Sequence, residues 1–317
     1  MHTRRREWFA FVSLALVSCP FAFSIPAYGQ AWLPPKNTGT VSIAYRHLYN
    51  HDHLYPTGKR YDAGQNRQHI LLMDLDYGVT RRLALNLGIP LAFGKHVGAD
   101  THFDPTLQYI DDGKYHGGFR DFRLGLRYSL VRFGPVVITP FIEGIIPSHH
   151  YATFGNAATG RDLREFLVGT YLGRDLEEVL PNAYFQTRLS YAFVERVLGM
   201  YHDRTNIDAE LGYQLTNRVA VSGIVSFQKT LGGLYSKGRW TLEQKRHHDQ
   251  LVRSDTLHWG GGVSLVVNRT TSIYATLLTM AWGKNSAALS HGFTVGINKS
   301  FRTGRPRPAL AADTSQP

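Results

Sequence analysis

Apolar and polar residues alternate one by one along much of the chain, and residues 118–144, GFRDFRLGLRYSLVRFGPVVITPFIEG, show the pattern clearly. Phe122, Leu124 and Leu126 alternate with Arg123 and Gly125. A period of two places successive side chains on opposite faces of a β-strand, whereas a helix would repeat its apolar positions every three to four residues. The pattern predicts a strand with one apolar face and one face of charged and small residues, then a tight turn and a second strand.

The same alternation recurs along the chain and predicts about twelve strands. Their predicted limits are residues 38–50, 66–79, 82–95, 118–131, 135–148, 164–173, 183–195, 203–215, 218–231, 255–267, 271–283 and 289–301. The sixth, within DLREFLVGTYLGRDLEEVL, also admits a helix. Each strand carries the chain from one end of the barrel to the other, so tight turns and long loops should lie at opposite ends. Without a strand in this segment the tight turn LTNRV would lie at the end of the long loops, and a strand is therefore favoured.

The connections between the predicted strands are of two kinds, which alternate in order. GVTRRL, VRFGP, LTNRV and VNRTTS are tight turns, whereas YNHDHLYPTGKRYDAGQ, KHVGADTHFDPTLQYIDDGKYHG, SHHYATFGNAATGRDL and GGLYSKGRWTLEQKRHHDQLVRSD are long and polar. Outer-membrane barrels have short periplasmic turns and long outer loops. We therefore expect residues 30–302 to form one all-β domain, a transmembrane antiparallel up-and-down β-barrel of about twelve strands.

The composition of the two faces distinguishes a membrane barrel from a soluble one. A soluble barrel would pack an apolar core inside and carry abundant Lys and Glu outside. Here one face is almost entirely Leu, Ile, Val, Phe and Tyr, and the other mixes Gly, Ser, Asn and Gln with opposed charges. This favours lipid outside and a water-lined lumen inside, with a soluble exported β-protein as the alternative. Candidates for an aromatic girdle, or else ordinary strand aromatics, are Tyr77, Tyr128, Tyr191, Tyr213, Trp259 and Trp282.

The charged and amide residues of the polar face are the candidate pore lining. They are Arg46, Asp74, Asp76, Asn86, Asp121, Arg123, Arg127, Glu143, Arg188, Asp208 and Glu210. Opposed charges on a channel wall set a transverse field that selects solutes. The same side chains could instead neutralise one another and fill the interior, as in small barrels. We expect a narrow pore in which Asp121 and Arg123 influence ion selectivity.

The N-terminus predicts export. Three arginines at residues 4–6 precede the apolar run WFAFVSLALVSCPFAFSIPAYGQA, so residues 1–29 are predicted to be a cleaved signal peptide. An uncleaved anchor and a lipoprotein box at LVSC are the alternatives. Cys19 is the only cysteine, so a chain beginning near residue 30 has no disulfide and no thiolate site. At the other end, residues 303–317 are predicted to be a disordered tail.

Charge and histidine content raise other functions that the pattern does not favour. The net charge is +11, but the basic residues are spread along strands and loops, which argues against a nucleic-acid partner. The chain has 15 histidines, many in the predicted outer loops, at spacings that match no defined metal site. Ser290 and His291 are neighbours on opposite strand faces and no G-x-S-x-G motif occurs, so no catalytic residue and no cofactor is predicted.

Several segments also resemble a known family. GGFRDFRLGLRYSL, GPVVITPFIEGIIP, EFLVGTYLGRDLEEVLPNAYFQTRLSYAFVE and WGKNSAALSHGFTVGINKSF are similar to the outer-membrane proteins associated with the meta-pathway of phenol degradation. The resemblance covers most of the chain after the signal and implies a barrel transporter that admits hydrophobic or aromatic nutrients. One departure is that Phe301, at the position of the terminal aromatic used by the outer-membrane assembly machinery, is followed by RTGRPRPALAADTSQP.

The sequence thus predicts a protein of the bacterial outer membrane that contacts outer-membrane lipid and passes small solutes passively. The alternatives are a structural, adhesive or ligand-binding barrel with a plugged lumen and, less favoured, a lipid-hydrolysing barrel. A binding barrel can have a plugged lumen, whereas a transporter needs a lumen through which the solute can pass. Whether the lumen is open therefore distinguishes the two functions.

Overall fold

The computed structural model describes residues 31–98, 110–236 and 238–304. The predicted signal peptide, residues 1–29, and most of the predicted tail, from residue 305 onward, lie outside the described residues and stay predictions.

The described chain is built almost entirely from strands. These are β1 (Thr38–Leu54), β2 (Arg60–Gly78), β3 (Leu83–Val97), β4 (His116–Phe119), β5 (Asp121–Tyr128), β6 (Val131–Phe133), β7 (Val136–Pro147), β8 (Glu165–Asp175), β9 (Ala183–Val194), β10 (His202–Gln214), β11 (Val219–Gly232), β12 (Asp255–Asn268), β13 (Thr271–Lys284) and β14 (Ala287–Arg302). Two short helices, α1 (Leu242–Arg246) and α2 (His248–Leu251), lie between β11 and β12. No helix in the described part of the chain is long and apolar enough to cross a membrane.

The strands close into one antiparallel barrel. The long strands pair in sequence order, and β1 pairs with both β2 and β14, which joins the two ends of the sheet. The short strands β4, β5 and β6 follow one another along a single position between β3 and β7. The result is a closed twelve-stranded antiparallel barrel, as predicted. Closure pairs every strand edge, which is what a sheet in lipid requires.

A bulge interrupts the wall between β4 and β5. Leu91 pairs with Phe119 and Gly88 with Arg123, so the β4–β5 side carries an extra residue. Opposite it lies Pro90, whose nitrogen has no hydrogen to donate, and whose carbonyl accepts a bond from the Arg120 N–H at 3.0 Å. The missing donor explains why the regular ladder breaks at this point.

The ambiguous segment near residues 164–173 is strand β8, paired along its length with β7 and β9. One predicted loop is wrong. The segment YNHDHLYPTGKRYDAGQ mostly belongs to β1 and β2, which continue to Leu54 and from Arg60 as a long hairpin. Backbone ladder bonds do not depend on side-chain polarity, and a hairpin beyond the barrel has water on both faces, so its sequence loses the alternation that predicted the other strands.

The apolar faces point outward, as the alternation predicts. Val41 and Ile43 on β1 are 41% and 48% exposed, and Leu124 on β5 is 53% exposed. Exposed aromatic side chains lie near strand ends, such as Tyr128 and Tyr213 beside short turns. Apolar area of this extent is stable only against lipid or another apolar surface.

The two ends of the barrel differ. The end that carries the short turns, together with Thr38 and Arg302, is called the turn end below. The other end carries the described parts of the longer connections, residues 110–115, 148–164, 233–236 and 238–254, and is called the loop end.

Candidate functional site

A cavity of about 400 Å³ lies inside the barrel. It is lined mainly by inward side chains of β1, β2, β3, β5 and β7, with contributions from β8, β9 and β10. Nine of the predicted lining residues border it: Arg46, Asp74, Asp76, Asn86, Asp121, Arg123, Arg127, Glu143 and Arg188. The polar face of the strands therefore surrounds an open space.

The remaining two, Asp208 and Glu210 on β10, point inward but lie outside this cavity in a packed layer. The carboxylate of Asp208 accepts a hydrogen bond from Ser226 Oγ at 2.7 Å and lies 3.9 Å from Arg188. Glu210 accepts hydrogen bonds from Tyr184 Oη at 3.0 Å and from Gln186 Nε2 at 2.7 Å. Both carboxylates are buried and locally satisfied.

The charged side chains pair along the wall. Arg123 Nη2 on β5 lies 2.7 Å from Asp74 Oδ1 on β2, and the strand between them is β3. Arg127 pairs with Asp76 across the same strand. On the far side, Arg188 on β9 bridges β8 to reach Glu143 on β7 at 3.1 Å. Each pair therefore joins two strands that have a third between them.

Small residues on the intervening strand make this arrangement possible. A Cβ atom added at Gly88 on β3 would lie 2.7 Å from Arg123 Nε and 2.8 Å from Asp74 Oδ1. On β5, a Cβ atom at Gly125 would lie 2.2 Å from the side-chain oxygen of Asn86. The glycines of the polar face thus form shallow depressions in which charged and amide groups lie flat, and the space between opposite walls stays open.

Part of the cavity lining is apolar. Ile70 and Leu72 on β2, Ile145 on β7 and Tyr171 on β8 all border it. Tyr171 packs against the ring of Phe141 at 4.9 Å between centroids, and Arg188 lies over the Phe141 ring at 4.7 Å. The polar-face prediction missed these residues, although the run ILLM at residues 70–73 is apolar on both faces and signals that β2 has apolar side chains inside.

The N-terminal segment enters the turn end of the barrel. The Ala31 N–H donates to Gln186 Oε1 at 3.2 Å, and its carbonyl accepts a bond from Thr139 Oγ1 at 2.7 Å. Trp32 packs edge-on against Tyr184 at 6.0 Å between ring centroids, and a Cβ atom at Gly173 would lie 2.6 Å from the Ala31 Cβ. Ala31 and Trp32, which precede β1, therefore lie inside the barrel and narrow the lumen.

Connections at the loop end also fold inward. Gln68 Nε2 on β2 donates to the Ala158 carbonyl at 3.3 Å, and Arg120 Nε donates to Thr159 Oγ1 at 2.5 Å. The carboxylate of Asp111 accepts the backbone N–H groups of Asn156 and Ala157 at 2.9 and 2.8 Å. Residues 148–164 thus lie in the mouth, where the connection from residue 110 holds them.

Ionisable groups in these connections are perturbed by burial. The Tyr151 hydroxyl donates to Asp121, and burial together with this bond raises the pKa of Tyr151. Burial, and then the nearby Arg204, lower the pKa of Arg161 to about 10. Across the described residues, no group of three or more His, Cys, Asp or Glu side chains is arranged to hold a metal ion.

Comparison with known proteins finds similarity in fold. No family model and no curated protein matches it. An outer membrane channel from Pseudomonas putida F1 is similar over 87% of this chain and 98% of its own, with a TM-score of 0.65 and 11% sequence identity. This chain has the fold of an outer-membrane β-barrel.

Two further structures are more distant. The NanC porin matches 82% of this chain and 98% of its own at 6% identity, with a TM-score of 0.46. The translocator domain of the autotransporter NalP from Neisseria meningitidis matches 84% and 90% at 10% identity, also with a TM-score of 0.46. At this level of structural similarity the two proteins give no evidence about function, which is therefore inferred from the residues of the lumen.

Proposed function

We propose that this protein is an outer-membrane channel through which small solutes pass passively. The observation that carries the proposal is the way the lumen charges pair. Salt bridges such as Asp74–Arg123 lie along the wall over Gly88, and a cavity of about 400 Å³ remains between the walls. A barrel stabilised by an internal salt-bridge plug would instead place its ion pairs across the axis.

The outward surface supports a place in the outer membrane. The apolar faces of the strands form a continuous exposed belt, and closure leaves no free sheet edge within it. Both properties are those of a bilayer-spanning barrel. With the predicted signal peptide, they support export and insertion into the outer membrane.

The mixed lining supports a solute class. Arg46 and Arg123 border the same cavity as Ile70, Leu72 and Tyr171. Five carboxylates border the same cavity and offset most of its arginines, so paired charges beside apolar side chains suit a solute that has an apolar ring or chain and a polar group. A small phenolic or aromatic carboxylate fits this description and agrees with the family resemblance of the sequence.

A second candidate is a plugged binding barrel, and the segments in the two mouths favour it. Ala31 is fully buried between β7, β8 and β9, and residues 156–159 fill part of the loop end. On this view the cavity would hold a ligand without passing it.

Conductance distinguishes these candidates. Purified, refolded protein is inserted in a planar lipid bilayer and compared with a variant lacking residues 31–36. We expect small discrete steps from the full chain and larger steps from the variant, with partial block by a phenolic added to one side. Silence from both, with normal heat-modifiability on gels, contradicts a channel and favours the binding barrel.

Selectivity tests the lumen residues separately. Asp121→Ala and Arg123→Ala are expected to shift the reversal potential in a salt gradient in opposite directions, because each leaves an excess of the other charge. Lys299→Ala is the control, since Lys299 lies outside the lumen, on the exposed face of β14. Unchanged reversal potentials in both lumen variants would remove Asp121 and Arg123 from the conduction path.

A further inference from the structure

The outer surface of β14, β1, β2 and β3 carries a group of basic and aromatic side chains near the loop end. On one level, Lys95, Arg67, Tyr49 and His291 lie side by side, because Arg67 pairs with both Lys95 and Tyr49, and Tyr49 pairs with His291. Four adjacent strands therefore contribute one residue each to a row across the barrel wall, and none of the four is acidic. This set is called the basic row below.

The next level toward the turn end is aromatic. It consists of Phe93, His69, His47 and Phe293, paired in the same register. Phe93 and Phe293 are 40% and 36% exposed, so their rings face out from the barrel. Apolar belt residues such as Ile43 follow on the same face. The basic row therefore lies where the lipid-facing belt ends.

Contacts hold these groups in place. His69 lies between the hydroxyls of Tyr45, at 2.5 Å from Nδ1, and Tyr115, at 2.9 Å from Nε2. The Arg67 guanidinium lies over the Tyr49 ring at 5.6 Å, and Lys95 Nζ lies over the Tyr115 ring at 5.7 Å. Aromatic rings thus fix the direction of both cations without neutralising them.

Histidines add hydrogen-bonding capacity. The ring centroids of His47 and His69 are 4.9 Å apart, and those of His47 and His291 are 6.1 Å apart. His47 Nδ1 is buried and has no hydrogen-bond partner within the described protein. A row of cations above imidazole nitrogens, at the edge of a lipid-facing belt, is a surface complementary to phosphate groups at headgroup depth.

We propose that the basic row binds the phosphate groups of a phosphorylated glycolipid in the outer leaflet, with Arg67 and Lys95 as the charged contacts and His291 as a hydrogen-bond donor. The inference rests on the proposed outer-membrane location but not on conduction. A lipid held here lies against β1, β2 and β14, the strands at which the barrel closes.

The test measures lipid binding in detergent micelles by native mass spectrometry. The probes are bisphosphorylated lipid A and the same lipid with both phosphates removed. The variant is Arg67→Gln with Lys95→Gln, and the matched control is Lys299→Gln, which removes a cation from the same outward surface at the turn end.

Each cation near a charged lipid surface contributes about a fivefold gain in affinity, so the double variant is expected to bind bisphosphorylated lipid A roughly 25-fold more weakly. The control should bind like the wild type, and the dephosphorylated lipid should not distinguish the three proteins. Equal affinity of wild type and double variant for the phosphorylated lipid would overturn the proposal, as would equal affinity of the wild type for both lipids.

Folding is checked by heat-modifiability on gels and by conductance, which the double variant should retain. If the double variant does not fold, Arg67→Lys with Lys95→Arg keeps both charges and must retain lipid binding. A wild-type protein that binds the phosphorylated lipid selectively but does not conduct would count against the channel proposal and leave this one standing.

Discussion

The two sides of the lumen differ in how their inward-pointing side chains are stabilised. On β2, β3 and β5, ionised side chains pair over small residues such as Gly88 and border open space. On β7, β8 and β9, the side chains are bulkier and more apolar, and Ala31 and Trp32 from the N-terminal segment pack against them. A wall whose ion pairs lie flat over small residues needs no covering segment, whereas bulky apolar side chains inside the barrel gain stability when another segment packs on them. The difference explains why the N-terminal segment lies on one side of the barrel.

Arg188 links β9 to β7 and β10 on the side of the lumen that the N-terminal segment covers, and its loss should have the largest effect. Its guanidinium pairs with Glu143, lies near Asp208 and covers the Phe141 ring. Arg188→Leu leaves two buried carboxylates without their cation, so the free energy of unfolding should fall by about 3 kcal/mol. Urea unfolding in micelles checks this. Lys299→Leu serves as the exposed control, and equal midpoints for the two variants would contradict a role for Arg188 in holding these strands together.

Trp32→Ala tests the covered side. It removes the ring that packs on Tyr184, and a half-buried aromatic side chain contributes about 1–2 kcal/mol. We expect that loss in unfolding free energy together with larger single-channel steps, since the N-terminal segment is held less firmly. Leu242→Ala, an exposed position on α1, is the control for conductance. Single-channel steps no larger than those of the wild type would show that the N-terminal segment does not narrow the conduction path.

Gly88→Ala tests the open side. Its methyl group would lie 2.7 Å from Arg123 Nε, so the ion pair must lift from the wall at a cost of about 1 kcal/mol. We expect reduced conductance. Gly223→Ala is the matched control, because nothing lies within 4 Å of a Cβ atom there. If both variants conduct like the wild type, the depression at Gly88 has no part in keeping the lumen open.

The smallest expected effect lies in the connection beside β4. A hydrogen bond with His116 Nε2 at 2.8 Å, and then one from the Lys114 N–H, hold the pKa of Asp112 below its ordinary value. A carboxyl with a lowered folded pKa contributes stability above its ordinary pKa and loses it as the pH falls through the folded value. His116→Ala should therefore raise the Asp112 pKa toward the ordinary value, measured by carbon-13 NMR titration. An Asp112 pKa that is the same in the variant and in the wild type would contradict this role of the His116 hydrogen bond.

Most of the barrel followed from alternation, because lipid outside and polar groups inside impose a period of two on each spanning strand. The strand ends followed less well. His51 and His53 belong to β1, since the hairpin beyond the barrel has no lipid face to mark it. The bulge at Arg120 was also not predicted from the sequence, although Pro90 opposite it is a signal for a break in the hydrogen-bond ladder.

The candidate site shows the same limit. Alternation predicts which side chains point inward, and the inward side chains Asp74 and Arg123 border the cavity. It cannot predict which inward residues border space and which are packed, and so Asp208 and Glu210 were grouped with the others. That distinction depends on contacts between distant segments, such as Ala31 with Gln186, which no local pattern encodes.

The seam between β1 and β14 has a consequence for how the molecule is made. It joins residues as far apart in sequence as Thr40 and Ser300, so the sheet cannot close until its last strand has been synthesised. The segment at Ala31 is hydrogen-bonded to β7 and β9, which lie between those two strands in the sequence. If it is still outside when the seam forms, it must thread in through the turn end. The order of assembly therefore favours a segment that enters while the sheet is open, and the final pairing step would trap it there.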